Sequence, residues 1–310
     1  MKKILFLVCL SVLGKAQTTD TLFSASKIQS IIKVLASDDM KGREIFTPEI
    51  DSAAAFIASR FQKTGLTPYT SDSYFQTFSY ERYPQGTLTN VIGILEGKSR
   101  KNEYVIFSAH YDHLGMRSPQ MGTDSIYNGA NDDASGVAAV LLLAEYFKKL
   151  NQNERTLIFV CFTGEEEGGL GSRYFSKQYD PNQITAMFNI EMIGTDSKWG
   201  KNSAFITGYE KSDFGTILQK NLSGTPFSFY PDPYRKEKLF YRSDNATLAY
   251  LGVPAHTIST SKMDNEPYYH QVNDEIDTLD LSNMSEIVKA IALSAQSIIS
   301  GADTPTRINE

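Results

Sequence analysis

Thr156–Gly169 reads TLIFVCFTGEEEGG. From Leu157 to Phe162 the run is wholly apolar, without the polar alternation of a strand that has one wet face. Such a run marks a strand covered on both sides, the pattern of a central parallel sheet between helical layers. The run ends in three glutamates, Glu165, Glu166 and Glu167, and then in Gly168 and Gly169. Adjacent carboxylates repel, and the repulsion is costly where water is partly excluded. A strand end that collects them needs a partner of opposite charge.

The neighbouring segments extend the same reading. EYVIFSAHYD (103–112), AMFNIEMIG (186–194) and SAFITGY (203–209) are short apolar runs that read as strands, as do YFQTFSYERY (74–83) and LTNVIGILEG (88–97). DASGVAAVLLLAEYFKKL (133–150) is a helix apolar on most of its circumference, with Lys148 and Lys149 where the macrodipole favours cations. ASKIQSIIKVLAS (25–37) has Ile28, Ile31, Ile32 and Leu35 at helical spacing, with Ser26 as its expected N-cap. EIDSAAAFIASRFQKTGL (49–66) predicts a second amphipathic helix stopped by Gly65. TLAYLGVPAHTIS (247–259) reads as a helix end, a turn and a strand, and residues 281–300 as a closing helix capped by Ser282. Alternating strands and helices predict an α/β three-layer sandwich with a mixed, largely parallel central sheet and helices on both faces. The connections 116–127 and 221–243 are long enough to suggest functional loops.

The N-terminus, MKKILFLVCLSVLGKAQ, has a charged start, an apolar stretch and a small-residue exit. It predicts a signal peptide over residues 1–16, and residues 17–310 as one domain with no inserted domain. The expected product is exported, periplasmic or secreted, with no membrane span in the mature chain. Cleavage would remove three lysines and no acids, moving the formal charge from −6 to −9. An acidic chain without a basic run is a poor nucleic-acid binder. Cys161 is the one cysteine left after cleavage, so no internal disulfide is expected. A hydrophobic content of 41% supplies a sizeable core without one.

Ligands of such sheets bind beyond the carboxyl ends of the strands. There the sequence places His110 and Asp112, then Asp132 and Asp133 before the long helix, Glu165 and Glu166, and Glu191; His270 precedes the closing helix. Each has an ordinary structural explanation alone: a helix cap, a bonded core histidine, an exposed strand end. Together they would repel unless a cation neutralised them. Imidazole and carboxylate without thiolate suit catalytic zinc, and the donors exceed what one ion needs. Two ions sharing a carboxylate suit hydrolysis, with one glutamate of the row a ligand and another a base.

SAHYDHLG, YNGANDDASGVAAVLLLAEYF, FTGEEEGGLGSRYF, FNIEMIGT, RSDNATLAYLGVPA and YYHQVNDEIDTLD occur in an order and spacing that resembles metallopeptidase family 28, the di-zinc aminopeptidases, over about residues 27–300. LASDDMKGRE is also similar to the opening of these proteins. The resemblance implies two zinc ions. It implies that His110 and Glu191 bind one, Glu166 and His270 the other, and Asp132 both. It further implies Glu165 as general base and Asp112 as the group holding the other nitrogen of His110. The implied activity is hydrolysis of peptides at a free N-terminus. Tyr241, Arg242 and Asp244 are candidates for the first side-chain pocket.

The chain departs from the family pattern at Glu191, where Asp is usual, at Asn245, where His is frequent, and at Gly169, where Leu is frequent. The first changes reach without changing donor chemistry; the second bears on the substrate pocket. Two other readings stay open: a single-zinc glutaminyl cyclase on a related scaffold, and a metal-free binding protein of the same fold. Preferred residue, native metal and oligomeric state are not legible.

Overall fold

The computed structural model describes residues 22–84, 86–117 and 124–308. The expected signal peptide and residues 118–123 of the first long connection lie outside them. The strands are β1 (Thr67–Pro68), β2 (Phe75–Phe78), β3 (Leu88–Leu95), β4 (Arg100–His110), β5 (Arg155–Phe162), β6 (Ile184–Ile190), β7 (Ser203–Ile206), β8 (Ser228–Pro231) and β9 (Ala255–Ser259). They form one sheet in the order β1-β3-β5-β4-β6-β9-β7-β8, with β2 also pairing β3. The centre, β5-β4-β6-β9, is parallel, while β3 against β5 and β7 against β9 run antiparallel. The sheet is therefore mixed, as the sequence implied.

The helices are α1 (Ala25–Leu35), α2 (Pro48–Thr64), α3 (Ser135–Leu150), α4 (Leu170–Phe175), α5 (Phe214–Asn221), α6 (Asn245–Ala249), α7 (Leu281–Ser294) and α8 (Gln296–Ile299). Strand alternation divides the apolar side chains between two cores. Phe107, Phe159 and Phe188 pack on one face with α1, α2, α3 and α7. The ring of Phe107 lies 5.5 Å from Phe159 and 4.8 Å from Phe188. Ile106, Ile158 and Met187 point to the other face, where Phe175, Leu248 and Ala249 cover them. Cys161 is buried, and burial pushes its thiol well above the usual range, as an inert core residue requires. Among the described residues no helix is long and apolar enough to cross a membrane.

Local details correct three expectations. The first helix is capped by Ser24, whose hydroxyl accepts from the Lys27 amide, so Ser26 lies inside it. The closing helix is capped by Asp280 rather than Ser282, with the carboxylate accepting from the Asn283 amide at 3.0 Å. Residues 221–243 are not a plain loop: they contain β8 and two short 3₁₀ turns. Gly65 ends α2 in the left-handed conformation, as its position predicted.

Candidate metal centre

The parallel centre of the sheet brings three strand ends to one edge. His110 closes β4 opposite Phe162 of β5, three residues before Glu165. Glu191 directly follows β6. Asp132 and Asp133 lie in the turn that enters α3 and are joined by a cis peptide bond. His270 arrives from the segment before α7, its ring stacked on Tyr269 at 3.9 Å.

Asp132 is the centre of the group. Its Oδ1 lies 3.0 Å from His110 Nε2, and its Oδ2 lies 3.3 Å from His270 Nε2. Glu166 Oε2 is 3.1 Å from the same His270 nitrogen. His110 Nε2 is buried and makes no hydrogen bond despite the short approach to Asp132. The two groups are thus close without meeting the geometry of a hydrogen bond. Ligand atoms of His113, Asp132 and Glu166 also lie within 4.8 Å of one another. Convergent imidazole and carboxylate donors with an unpartnered nitrogen fit a divalent cation such as zinc.

The electrostatics agree. Burial opposes charge on Asp132, but His110 and His270 hold its carboxyl well below the usual range. Burial likewise opposes charge on His110, and Asp132, Glu165 and Asp133 outweigh it, raising the imidazole well above its ordinary value. Glu165 is raised well above the carboxylate range by burial and by Glu191, Asp244 and Glu166. Without a cation, such a cluster neutralises itself with protons.

The turn that carries the glutamates is built from glycine and amide bonds. Gly168 and Gly169 adopt φ of 92° and 70°, a region that favours glycine, and both donate to the Glu165 carbonyl. Glu167 points outward and accepts from the Tyr83 hydroxyl at 2.8 Å. Asp112 acts differently from its expected role. Its carboxylate accepts the amides of Glu165 (3.1 Å) and Glu166 (3.2 Å), clamping that turn. His110 Nδ1 instead donates to the Asp112 carbonyl at 3.1 Å, the carboxylate Oδ1 lying 3.8 Å away. The tautomer is thus held by backbone.

Three residues of the site, His113, Asp274 and Arg43, are not singled out by their sequence pattern, and Asp133, named beside Asp132, gains a role only in the fold. His113, which strand alternation would aim away from His110, turns in because β4 ends at His110 and the pleat no longer sets direction. Its Nδ1 lies 2.9 Å from Glu166 Oε1. Asp274 accepts the amides of Asn131 (2.8 Å) and Asp132 (3.0 Å), fixing the backbone of the central carboxylate. Asp133 accepts the amides of Gly136 and Met192, tying the start of α3 to the residue after Glu191. Arg43 is fully buried and donates to the carbonyls of Leu35, Tyr111, Asn128 and Gly129. The motif DDMKGRE held its signal, a buried cation beside a ring of acids.

Two cavities meet at this edge. A small one of about 50 Å³ is lined by Glu191, Met192, Phe205, Leu239, Met263 and Tyr269 among others. An open cleft of about 580 Å³ contains Glu165 and Glu166 and runs past Tyr241. Arg242 and Ser243 belong to both. Glu191 accepts from the Ser243 hydroxyl, and Ser243 also bonds Asn189 Nδ2 at 2.7 Å. Tyr241 stacks on Tyr250 at 4.6 Å. Asp244 does not form the pocket wall expected of it. It is 1% exposed and lies under Gly169, because the entry to α6 turns it inward. Asn245 donates to the carbonyls of Phe240 and Ala255, so at this departure the amide holds the loop rather than reaching the cleft.

The sequence profile of peptidase family M28 matches residues 90–295, two thirds of the chain. The chain belongs to peptidase family M28. A probable leucine aminopeptidase of Trichophyton verrucosum is 29% identical over 212 residues, 64% of this chain and 54% of that protein. The chain thus matches about half the length of such relatives. Among solved structures, a zinc aminopeptidase from Bacillus subtilis superposes with a TM-score of 0.72 at 16% identity, covering 93% of this chain and 98% of that one. A glutaminyl cyclase from Porphyromonas gingivalis superposes with a TM-score of 0.69 at 16% identity, covering 90% and 99%. These likenesses establish the M28 fold; the chemistry has to come from the residues at the sheet edge.

Proposed function

We propose that this M28 chain is an exported aminopeptidase, with residues 1–16 as signal peptide and 17–310 as a single catalytic domain. The observation that carries the reading is Asp132: one carboxylate faces His110 with one oxygen and His270 with the other. A carboxylate shared between two histidines from opposite sides suits a pair of cations.

On this reading His110 and Glu191 hold one zinc, Glu166 and His270 the other, and Asp132 both. The ions would lower the pKa of water and polarise the scissile carbonyl. Glu165, at the floor of the cleft, accepts the proton of the attacking water and hands it to the leaving amine. The free amino group of the substrate is drawn by the acidic edge. The small cavity beside Glu191 takes the first side chain. Its apolar lining and volume near 50 Å³ favour a compact aliphatic residue.

The test is metal content of the purified chain together with hydrolysis of aminoacyl-p-nitroanilides before and after chelation. About two zinc ions per chain, with activity lost on chelation and restored by zinc, is the expected result. One ion with cyclisation of N-terminal glutamine would replace it with the cyclase reading. Absence of tightly bound metal and of both activities would leave a binding protein.

A further inference from the structure

The wall of the open cleft carries charge of the wrong sign for a site that only recruits cations. Arg173 lies on α4 and Lys177 in the turn after it. Both are exposed and both line the cleft that holds Glu165 and Glu166. Arg242 faces the same cleft where it meets the small cavity.

Among the described residues neither Arg173 nor Lys177 has an acidic partner within 4 Å, and Arg242 has only Glu237 at 3.9 Å. Arg173 is nevertheless held in place: its Nε donates to the Gly168 carbonyl at 2.7 Å, within the turn that carries Glu165. Among the described residues the guanidinium's two terminal nitrogens make no hydrogen bond of their own. Lys211 adds a further positive charge, with its Nζ 5.5 Å from the Tyr241 ring on the same rim. Like charges gathered on one wall of a net acidic protein repel one another and are stabilised by an anion.

We infer that Arg173, Lys177 and Arg242 bind a carboxylate on the leaving-group side of the scissile bond, so that the enzyme selects peptides bearing one there. This rests on the aminopeptidase reading and narrows its substrate class. With the first side chain in the small cavity and the carbonyl at Glu165, the rest of the peptide extends along the cleft. A volume near 580 Å³ holds only a few residues. A free C-terminus of a short peptide, or an acidic side chain just after the cut, would then reach the cationic wall. An arginine fork suits either carboxylate.

Two pairs of substrates separate these sources. Leu-Gly-Gly against its C-terminal amide tests the terminal carboxylate. Leu-Asp-Gly-amide against Leu-Asn-Gly-amide tests the side chain. The expected result is a preference of about five- to tenfold in kcat/KM for the acid member of at least one pair, carried mainly by KM and reduced by salt. In Arg173→Gln and in Lys177→Gln the ratio within that pair falls toward one. The ratio is internal to each variant, so it can be read even if Arg173→Gln lowers the amount of folded enzyme. Lys177→Gln, on an exposed side chain with no tertiary bond among the described residues, gives a second reading. Hydrolysis of all four peptides with equal kcat/KM, or ratios unchanged in both variants, overturns the inference and leaves the aminopeptidase reading intact. Hydrolysis of none of the four overturns both.

Discussion

His113 Nδ1 stands 2.9 Å from Glu166 Oε1, while the other oxygen of that carboxylate faces His270 at 3.1 Å. One imidazole therefore sets the direction in which Glu166 presents its free oxygen. His113 is buried and lies against Gly129, where a Cβ would meet its ring at 2.6 Å. The ring has little room to turn. Truncating it would leave Glu166 free to rotate without removing a ligand of the proposed pair. His113→Ala should weaken binding of one zinc by about 10- to 100-fold, read by competition with a chromogenic chelator. Zinc affinity equal to that of the unsubstituted chain would show that Glu166 needs no such support.

Glu165 has a different relation to the site. It lies on the cleft, its amide is held by Asp112, and among the described residues no imidazole is within ion-pair distance of its carboxylate. Glu165→Gln keeps the shape and removes the base. It should cut kcat by about 10²- to 10⁴-fold while zinc stoichiometry and KM stay near their starting values. Loss of metal along with activity would make Glu165 a ligand instead.

The part of this arrangement legible in the sequence is the part fixed by burial and period. β4, β5 and β6 announce themselves because both faces are covered, and their last residues deliver His110, Glu165, Glu166 and Glu191 to one edge. What was hidden depends on partners far along the chain. Arg43 bonds carbonyls up to 86 residues away, and Asp274 reaches amides 142 and 143 residues away. No local pattern carries such a distance. The expectation that Asp112 partners the His110 imidazole comes from the family resemblance, which carries a role but not the competition for it. In the fold, two unpaired amides of the glutamate turn compete for the same oxygens and take them. Asp244 failed for a similar reason: a loop position does not tell whether a side chain faces the cleft or the layer beneath it.

Arg43 offers a test of that hidden layer. Its guanidinium is fully buried and satisfies four carbonyls around the start of the Asp132 turn. Burial pulls its pKa down to about 10, with Asp274, Asp112, Asp132 and Asp133 opposing the shift. It therefore stays charged at neutral pH. Arg43→Met removes both the donors and the charge, leaving buried carbonyls and carboxylates uncompensated. The expected loss is about 3–5 kcal/mol in denaturant unfolding of the metal-free chain. A change below about 1 kcal/mol would mean that water or neighbouring amides replace the guanidinium.

His256 gives the chain an acid limit away from the metal centre. The ring is buried in β9, stacked on Phe214 at 4.8 Å, with Nδ1 donating to the Thr207 carbonyl at 2.8 Å and Nε2 2.7 Å from the Ser212 hydroxyl. Burial lowers its pKa to about 4, with the Thr207 carbonyl opposing and Glu210 also opposing. The unfolded chain takes up a proton near the ordinary value of about 6.5, which the folded chain refuses until about pH 4. The native state is therefore fully favoured above pH 6.5, loses stability as pH falls between 6.5 and 4, and loses no more from this group below that. The integrated loss is on the order of 3 kcal/mol. Unfolding curves of the metal-free chain across this window should slope accordingly. In His256→Gln, which cannot titrate, that slope should shrink. An identical slope in the variant would assign the acid limit to the carboxylates and histidines of the metal centre instead.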